Sequence, residues 1–387
     1  MCVTKELGMF TYSIKDHEIE VVGALGFEED TDGWITPRRL PDWTINQFAD
    51  GAIDRFSKFP SGVRLRFTTS ADRISLKVRV SRLVITGIAE QKRPAAFDLL
   101  IDGKESQTQH AENGNILRLT ASAPAVFTET LEVGDIDILE FSDLGSASKD
   151  IEIWLPTSAI VEIAEVAATS EIKAAPLDSR KRWLHYGSSI SQCIEADRPM
   201  DAWALRAAQL LNLNITNFGL AGQCQLDGFV ARSMAALPAD VITLKLGINI
   251  VNADSMRERA FVPAVHNFLD ILRESAPLTP IIIISAIWCP FHEETPGPTM
   301  IDGATLFGKE RPAEFAAGAL TLQRTRELLA DVVSKRSDAN LHFMDGLTLF
   351  GASDESNLPD KLHPNSAGYR LMAERFAQAQ RAFIESV

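Results

Sequence analysis

The hydrophobic period of this chain changes once, and that change limits what it can fold into. From about residue 17 to 165 the apolar residues recur at every second position. Ile74, Leu76, Val78 and Val80 alternate with Ser75, Lys77 and Arg79, the pattern of a strand with one buried face. Similar short runs stand at 63–67, 97–101, 136–141 and 151–155, separated by the turn formers Pro60-Ser61-Gly62, Asp102-Gly103 and Asn113-Gly114. Short strands at close spacing, with almost no helical stretch, predict an antiparallel, jelly-roll-like β-sandwich over residues 1–165.

Residues 166–181 are rich in Ala and polar side chains, end the alternation, and read as a linker. Over 182–387 short apolar strands alternate with helices of about ten residues or more. Strands are predicted at 183–186, 214–218, 241–246, 281–286 and 341–344, and helices at about 202–211, 226–236, 257–274, 312–335 and 366–384. Such alternation favours parallel pairing with right-handed crossovers, hence a three-layer α/β/α domain with a flavodoxin-like sheet. Two domains also suit a chain of 387 residues.

Charge and composition remove several function classes. A net charge of −14 is the wrong sign for a phosphate-binding surface, so no nucleic-acid partner is expected. The longest apolar run, near 281–284, is far short of the roughly 20 residues that span a bilayer, and no membrane partner is expected either. MCVTKELGMF lacks a basic stretch followed by an apolar run, which points to a cytoplasmic protein. Cys2, Cys193, Cys224 and Cys289 show no CxxC spacing, so no metal site is expected. They read as free thiols, with a Cys193–Cys224 bridge left open.

Chemistry-bearing residues follow the predicted strands. Open parallel sheets bind ligands outside the carboxyl ends of their strands. After the first strand comes Gly187-Ser188-Ser189-Ile190-Ser191, after the second Gly219-Leu220-Ala221-Gly222-Gln223, and after the third Gly247-Ile248-Asn249. Past the fifth, just before the last helix, comes Asp360-Lys361-Leu362-His363-Pro364. A serine hydroxyl needs a base within hydrogen-bond reach, and that base needs an orienter. Asp360 and His363 are spaced to share one turn, with Pro364 suited to the first turn of the helix that follows. Gly222, unshielded by a side chain, Asn249 through its amide, and the Ser189 N–H are the candidate oxyanion donors. An ionised Asp360 would raise the pKa of His363 and burial would lower it, so the expected value stays near about 6–7.

These positions resemble the SGNH superfamily of GDSL esterases and lipases, whose marker Ser, Gly, Asn and His fall on Ser189, Gly222, Asn249 and His363, with Asp360 as the aspartate of DxxH. The resemblance covers roughly 182–387. It implies a serine esterase with no cofactor, acting on a small-molecule ester or acylated carbohydrate; an acyltransferase to an alcohol or sugar hydroxyl uses the same residues. Some members of the superfamily carry an N-terminal β-sandwich, among them carbohydrate deacetylases and acyl-transferring enzymes of natural-product tailoring. Two positions depart from the pattern: Ser188 stands where GDS has Asp, and Ile250 where an Asp often follows the marker Asn.

Other assignments stay open in the sequence. Ser188 and Ser191 compete with Ser189 for the nucleophile, and any of the three suits a helix cap. His185 reads as a core residue inside the first strand, and His292 lacks an HExxH partner. The loop from Trp288 to Thr299, rich in Pro and Gly, is the candidate acyl or alcohol pocket, with Trp288, Cys289 and Pro290 as its first residues. Trp34 and Trp43 suit either core packing or a reach over the site. A carbohydrate-binding protein with a dead hydrolase half is the competing reading, and the intact set of five residues argues against it. The oligomeric state is not written in the pattern.

Overall fold

The computed structural model of the chain describes residues 5–6, 8–86, 94–123, 126–302 and 305–387; Cys2 lies outside them. Two compact units divide the chain. One comprises Met1–Asp42, Ser57–Ser179 and Ala196–Met200, the other Trp43–Phe56, Arg180–Glu195 and Asp201–Val387.

The first unit is built from two sheets around one core. In one sheet Met9–Tyr12, Ala159–Ala168, Ile74–Ile85, Asn115–Ala123 and Val126–Glu132 are neighbours in that order; in the other, Ile172–Lys173, Arg64–Thr69, Lys149–Trp154, Ala95–Ile101 and Lys104–Ala111. The alternation read from the sequence is the inward face. Leu76, Val78 and Val80 from one sheet pack with Leu65, Phe67, Phe97 and Ile153 from the other. The pairings are antiparallel with one exception, since Asn115–Ala123 runs parallel to Ile74–Ile85. Residues 166–181 are not purely a linker. Ala159–Ala168 ends within them and Ile172–Lys173 pairs with Arg64–Thr69. Val166, Ala168 and Ile172 are buried in the core; alanine's weak strand preference hid this. A helix, Gly51–Ser57, also stands in the stretch read as strands and turns, and it falls in the second unit but for Ser57.

The second unit is a five-stranded parallel sheet between helices. Its strands are labelled β1 (Lys181–Gly187), β2 (Leu213–Gly219), β3 (Val241–Lys245), β4 (Ile281–Ile284) and β5 (Leu341–Met344). Their order is β2-β1-β3-β4-β5, all parallel, which is the flavodoxin-like order with its switch point between β1 and β3. The helices that follow β1 in the chain are α1 (Ser189–Gln192), α2 (Trp203–Leu210), α3 (Gly228–Ala235), α4 (Ile248–Ala253), α5 (Glu258–Ser275), α6 (Leu322–Lys335) and α7 (Ser366–Ser386). Among the described residues no helix is long and apolar enough to cross a membrane.

Odd and even residues of β1 serve opposite layers. On one face Trp183 stacks on Phe376 of α7 at 5.2 Å and meets Trp203 of α2 edge-on at 6.2 Å. On the other, Tyr186 stacks on Phe268 of α5 at 4.9 Å. Burial of Phe376 and Phe268, both fully inaccessible, contributes roughly 1.5–3 kcal/mol each. β4 is four isoleucines, all buried, as a strand covered on both faces requires. The helix predicted over 312–335 begins only at Leu322. Gly318 adopts φ +71°, outside any right-handed helix, and Thr321 caps α6 by accepting the Arg324 N–H at 3.0 Å. A hairpin, Thr299–Asp302 with Thr305–Gly308, stands between β4 and α6, upstream of residue 312.

Candidate active site

The turn from β1 into α1 gives its three serines three different tasks. Gly187 is obligatory there, because a Cβ would sit 2.2 Å from the Ser191 hydroxyl. Ser188 is the N-cap, accepting the Ile190 N–H at 3.3 Å. Ser191 turns inward, its Oγ 2.7 Å from Nε2 of buried His185, whose Nδ1 lies 2.6 Å from Thr243 Oγ1. Burial, and then the charge of Lys245, push His185 down to about 3, so it stays neutral and structural. Ser189 remains, with its Oγ 2.9 Å from His363 Nε2.

His363 is held by the loop before α7. Asp360 Oδ1 accepts the backbone N–H groups of Leu362 at 2.9 Å and His363 at 2.7 Å, while Oδ2 lies 2.6 Å from His363 Nδ1. An ionised carboxylate only accepts, so Nδ1 carries the proton and Nε2 of the neutral ring is left to accept from Ser189. Burial works to raise the Asp360 pKa, but the bonds from His363 and the two N–H groups hold it below the usual carboxylate value. Asn365 caps α7 by accepting the Gly368 N–H at 3.0 Å. Pro364 therefore precedes the cap instead of entering the first turn.

One charged neighbour was not foreseen. Glu195 Oε1 stands 3.8 Å from His363 Nδ1, and Glu195 Oε2 accepts the Tyr369 hydroxyl at 2.8 Å. Burial lowers the pKa of His363, but Glu195 and Asp360 together outweigh it and push the imidazole up to about 9. The balance read from Asp360 alone, about 6–7, is corrected by this second carboxylate. No periodicity or spacing in the sequence pairs Glu195 with His363; only the fold does.

The candidate oxyanion donors come from three strand ends. Ser189 heads α1, so its N–H has no intrahelical acceptor. Gly222 adopts φ +71°, a conformation that favours glycine. A Cβ there would meet open space, so backbone conformation, not shielding, is what requires glycine. Asn249 lies in the first turn of α4, 3% exposed. Its Oδ1 accepts the Cys224 N–H at 3.0 Å, which leaves the amide NH2 as the outward donor. Gln192 Oε1 accepts the Ala221 N–H at 2.9 Å, tying the Gly222 loop back to α1.

The loop after β4 packs against the segment that carries Asp360 and His363. Trp288 Nε1 donates to Glu355 at 3.0 Å, and the Cys289 thiol faces the Lys361 carbonyl at 3.5 Å, beside Asp360. Cys289 is buried, whereas Trp288 and Pro290 are partly exposed. His292 is spent inside the same loop, on the Thr295 carbonyl at 2.9 Å and Thr299 Oγ1 at 2.8 Å. Cys193, Cys224 and Cys289 are free thiols. Burial pushes Cys193 well up and the other two to about 12, so none offers a thiolate at neutral pH. Among the described residues no three His, Cys, Asp or Glu side chains group as a metal site. Trp34 packs within the first unit under the Arg79 guanidinium, 4.7 Å above its ring; Trp43 is half-exposed.

Residues 185–371 match the family model of the GDSL-like lipase/acylhydrolase family. The fold is similar to that of the salicylyl-acyltransferase SsfX3 from a tetracycline biosynthetic pathway, at 25% identity and a TM-score of 0.79, covering 99% of each chain. It is also similar to a family two carbohydrate esterase from Cellvibrio japonicus, at 13% identity, TM-score 0.56, covering 97% of this chain and 98% of the other. An acetyl xylan esterase, Est2A, from the rumen bacterium Butyrivibrio proteoclasticus shares 12% identity at a TM-score of 0.53, covering 97% and 99%. No curated protein sequence matches the chain.

Proposed function

We propose that the chain is a serine esterase that works through an acyl-enzyme on Ser189. The observation that carries this reading is the continuous relay from Asp360 Oδ2 through His363 to Ser189 Oγ, with contacts of 2.6 and 2.9 Å. In the first half-reaction neutral His363 takes the Ser189 proton at Nε2 as Oγ attacks the ester carbonyl. The oxyanion meets the N–H groups of Ser189 and Gly222 and the Asn249 amide, donors already oriented before charge develops. His363 then gives its proton to the leaving alcohol as the tetrahedral intermediate collapses. Water repeats the sequence on the acyl-enzyme and releases a carboxylic acid and free Ser189. A short acyl group on a small alcohol or a carbohydrate is the substrate class this reading takes.

A second reading replaces water with an acceptor alcohol or sugar hydroxyl. The same residues serve, and the full-length likeness to an acyltransferase supports it. Intact-mass measurement after treatment with a fluorophosphonate tests the shared step. One phosphonyl group per chain is expected on the parent and none on Ser189→Ala. Absence of labelling on the parent, or labelling that survives in Ser189→Ala, would overturn the assignment. Product analysis with and without acceptor alcohols then separates hydrolysis from transfer.

A further inference from the structure

His363 has two carboxylates on its Nδ1 side. Asp360 Oδ2 lies 2.6 Å from that nitrogen and Glu195 Oε1 lies 3.8 Å from it. They arrive from different elements: Asp360 from the loop before α7, Glu195 from the segment just past α1. Glu195 is not a loose surface charge. Its Oε2 accepts the hydroxyl of Tyr369, a fully buried residue of α7, and its side chain is only 22% exposed against 18% for His363. Among the described residues Asp360 and Glu195 are the charged groups that bear on the imidazole; Tyr369 adds a neutral hydroxyl from the helix packed behind them.

We infer that Glu195, anchored by Tyr369, is a second positioning carboxylate for His363, sharing the Nδ1 side with Asp360 and taking over the orienting bond when the Asp360 carboxylate is removed. The inference rests on His363 being the base for Ser189 and deepens that reading. Nδ1–H must point at an acceptor for Nε2 to face the serine. With Asp360 gone, Glu195 is the carboxylate already on that side, and a side-chain rotation shortens its contact to hydrogen-bond range. In the intact site both negative charges favour the imidazolium. They stabilise the charged ring that forms alongside the oxyanion, and they compete with catalysis by holding a proton on the resting base.

A double-mutant cycle on Asp360→Ala and Glu195→Gln, read as kcat/KM against pH, tests this, with melting curves reporting fold. Losing the only carboxylate of a triad costs about 10⁴ in rate. Asp360→Ala is expected to fall by less than about 10², and the double variant by the full about 10⁴. Glu195→Gln alone should move the acidic limb to lower pH, raising kcat/KM on that limb by about tenfold for each pH unit moved, while the alkaline plateau drops less than that. Tyr369→Phe, which removes one hydrogen bond from Glu195, should move the limb the same way by less. If Asp360→Ala does not fold, the Glu195→Gln and Tyr369→Phe profiles decide. A limb unmoved in Glu195→Gln would overturn the inference, as would equal rates for Asp360→Ala and the double variant. Either result would leave the base reading intact provided Ser189→Ala is inert and the parent shows an acidic limb. A parent with no such limb sinks the base reading itself.

Discussion

The side-chain oxygen of Asn249 accepts the backbone N–H of Cys224 at 3.0 Å, tying the first turn of α4 to the loop after β2. That bond orients the Asn249 amide before any substrate arrives, and it satisfies a donor on a residue only 2% exposed. Asn249→Ala should therefore do two things. It should lower kcat by about 10²–10³ with little change in KM, the loss of one preorganised oxyanion donor. It should also destabilise the fold by about 1–3 kcal/mol, because the Cys224 N–H is left buried without that partner. Steady-state kinetics and urea titration measure the two separately. A change confined to KM would assign Asn249 to substrate binding.

Ser188 and Ser189 are neighbours with opposite expected phenotypes. Ser188 Oγ caps α1, so Ser188→Ala should cost about 0.5–2 kcal/mol of stability and keep substantial esterase activity. Ser189→Ala should remove several orders of magnitude of kcat and leave the melting temperature near the parent's. The reverse pattern would shift the nucleophile by one residue.

How much of this was readable in the sequence depends on how each contact is made. The parallel sheet was legible because buried strands such as Ile281–Ile284 are short apolar blocks between amphipathic helices. The placement of Ser189, Gly222 and Asn249 as candidates was legible because each follows a strand end, and the Asp360–His363 pairing because the two lie three residues apart. Glu195 was not. Its tie to His363 and Tyr369 spans over 160 residues and exists only once α1 and α7 pack. The start of α6 was misplaced because Pro312–Ala319 has helix-forming alanines, and only Gly318 at φ +71° betrays the break. Residues 166–181 looked like a linker because Ala167 and Ala168 carry too little apolar surface to announce a buried strand.

Proton uptake by His363 couples the site to stability. Its folded pKa, about 9, lies above the unfolded value of about 6.5, so between them the folded chain binds the extra proton. The stabilisation is fully present below about pH 6.5 and is lost as pH rises through about 9. In the Ser189→Ala background, where catalysis does not interfere, melting temperature should fall across that window. Replacing His363 with Gln should flatten the fall. Asp360 acts in the opposite sense: its depressed pKa gives stability present above its unfolded value and lost as pH drops through the folded one. A melting temperature that is flat from about pH 6.5 to 9 in Ser189→Ala, and unaffected by His363→Gln, would contradict the coupling.

Under the proposed mechanism the same proton governs the rate. His363 must be neutral to accept from Ser189, and kcat/KM reports the ionisation of the free enzyme. With two carboxylates on its Nδ1 side the imidazole holds its proton up to about 9, so at pH 7 only about one chain in a hundred has the base free. The acidic limb should accordingly rise tenfold per pH unit from about pH 6 to 8 and bend near about 9, with a single proton involved. A bound ester that displaces water from beside Glu195 would strengthen both carboxylate interactions, so the limb in kcat should bend at the same pH or higher. A limb that bends near about 6.5 would mean that solvent screens Glu195 in the working enzyme. A profile flat from about pH 5 to 8 would remove His363 from the role of general base.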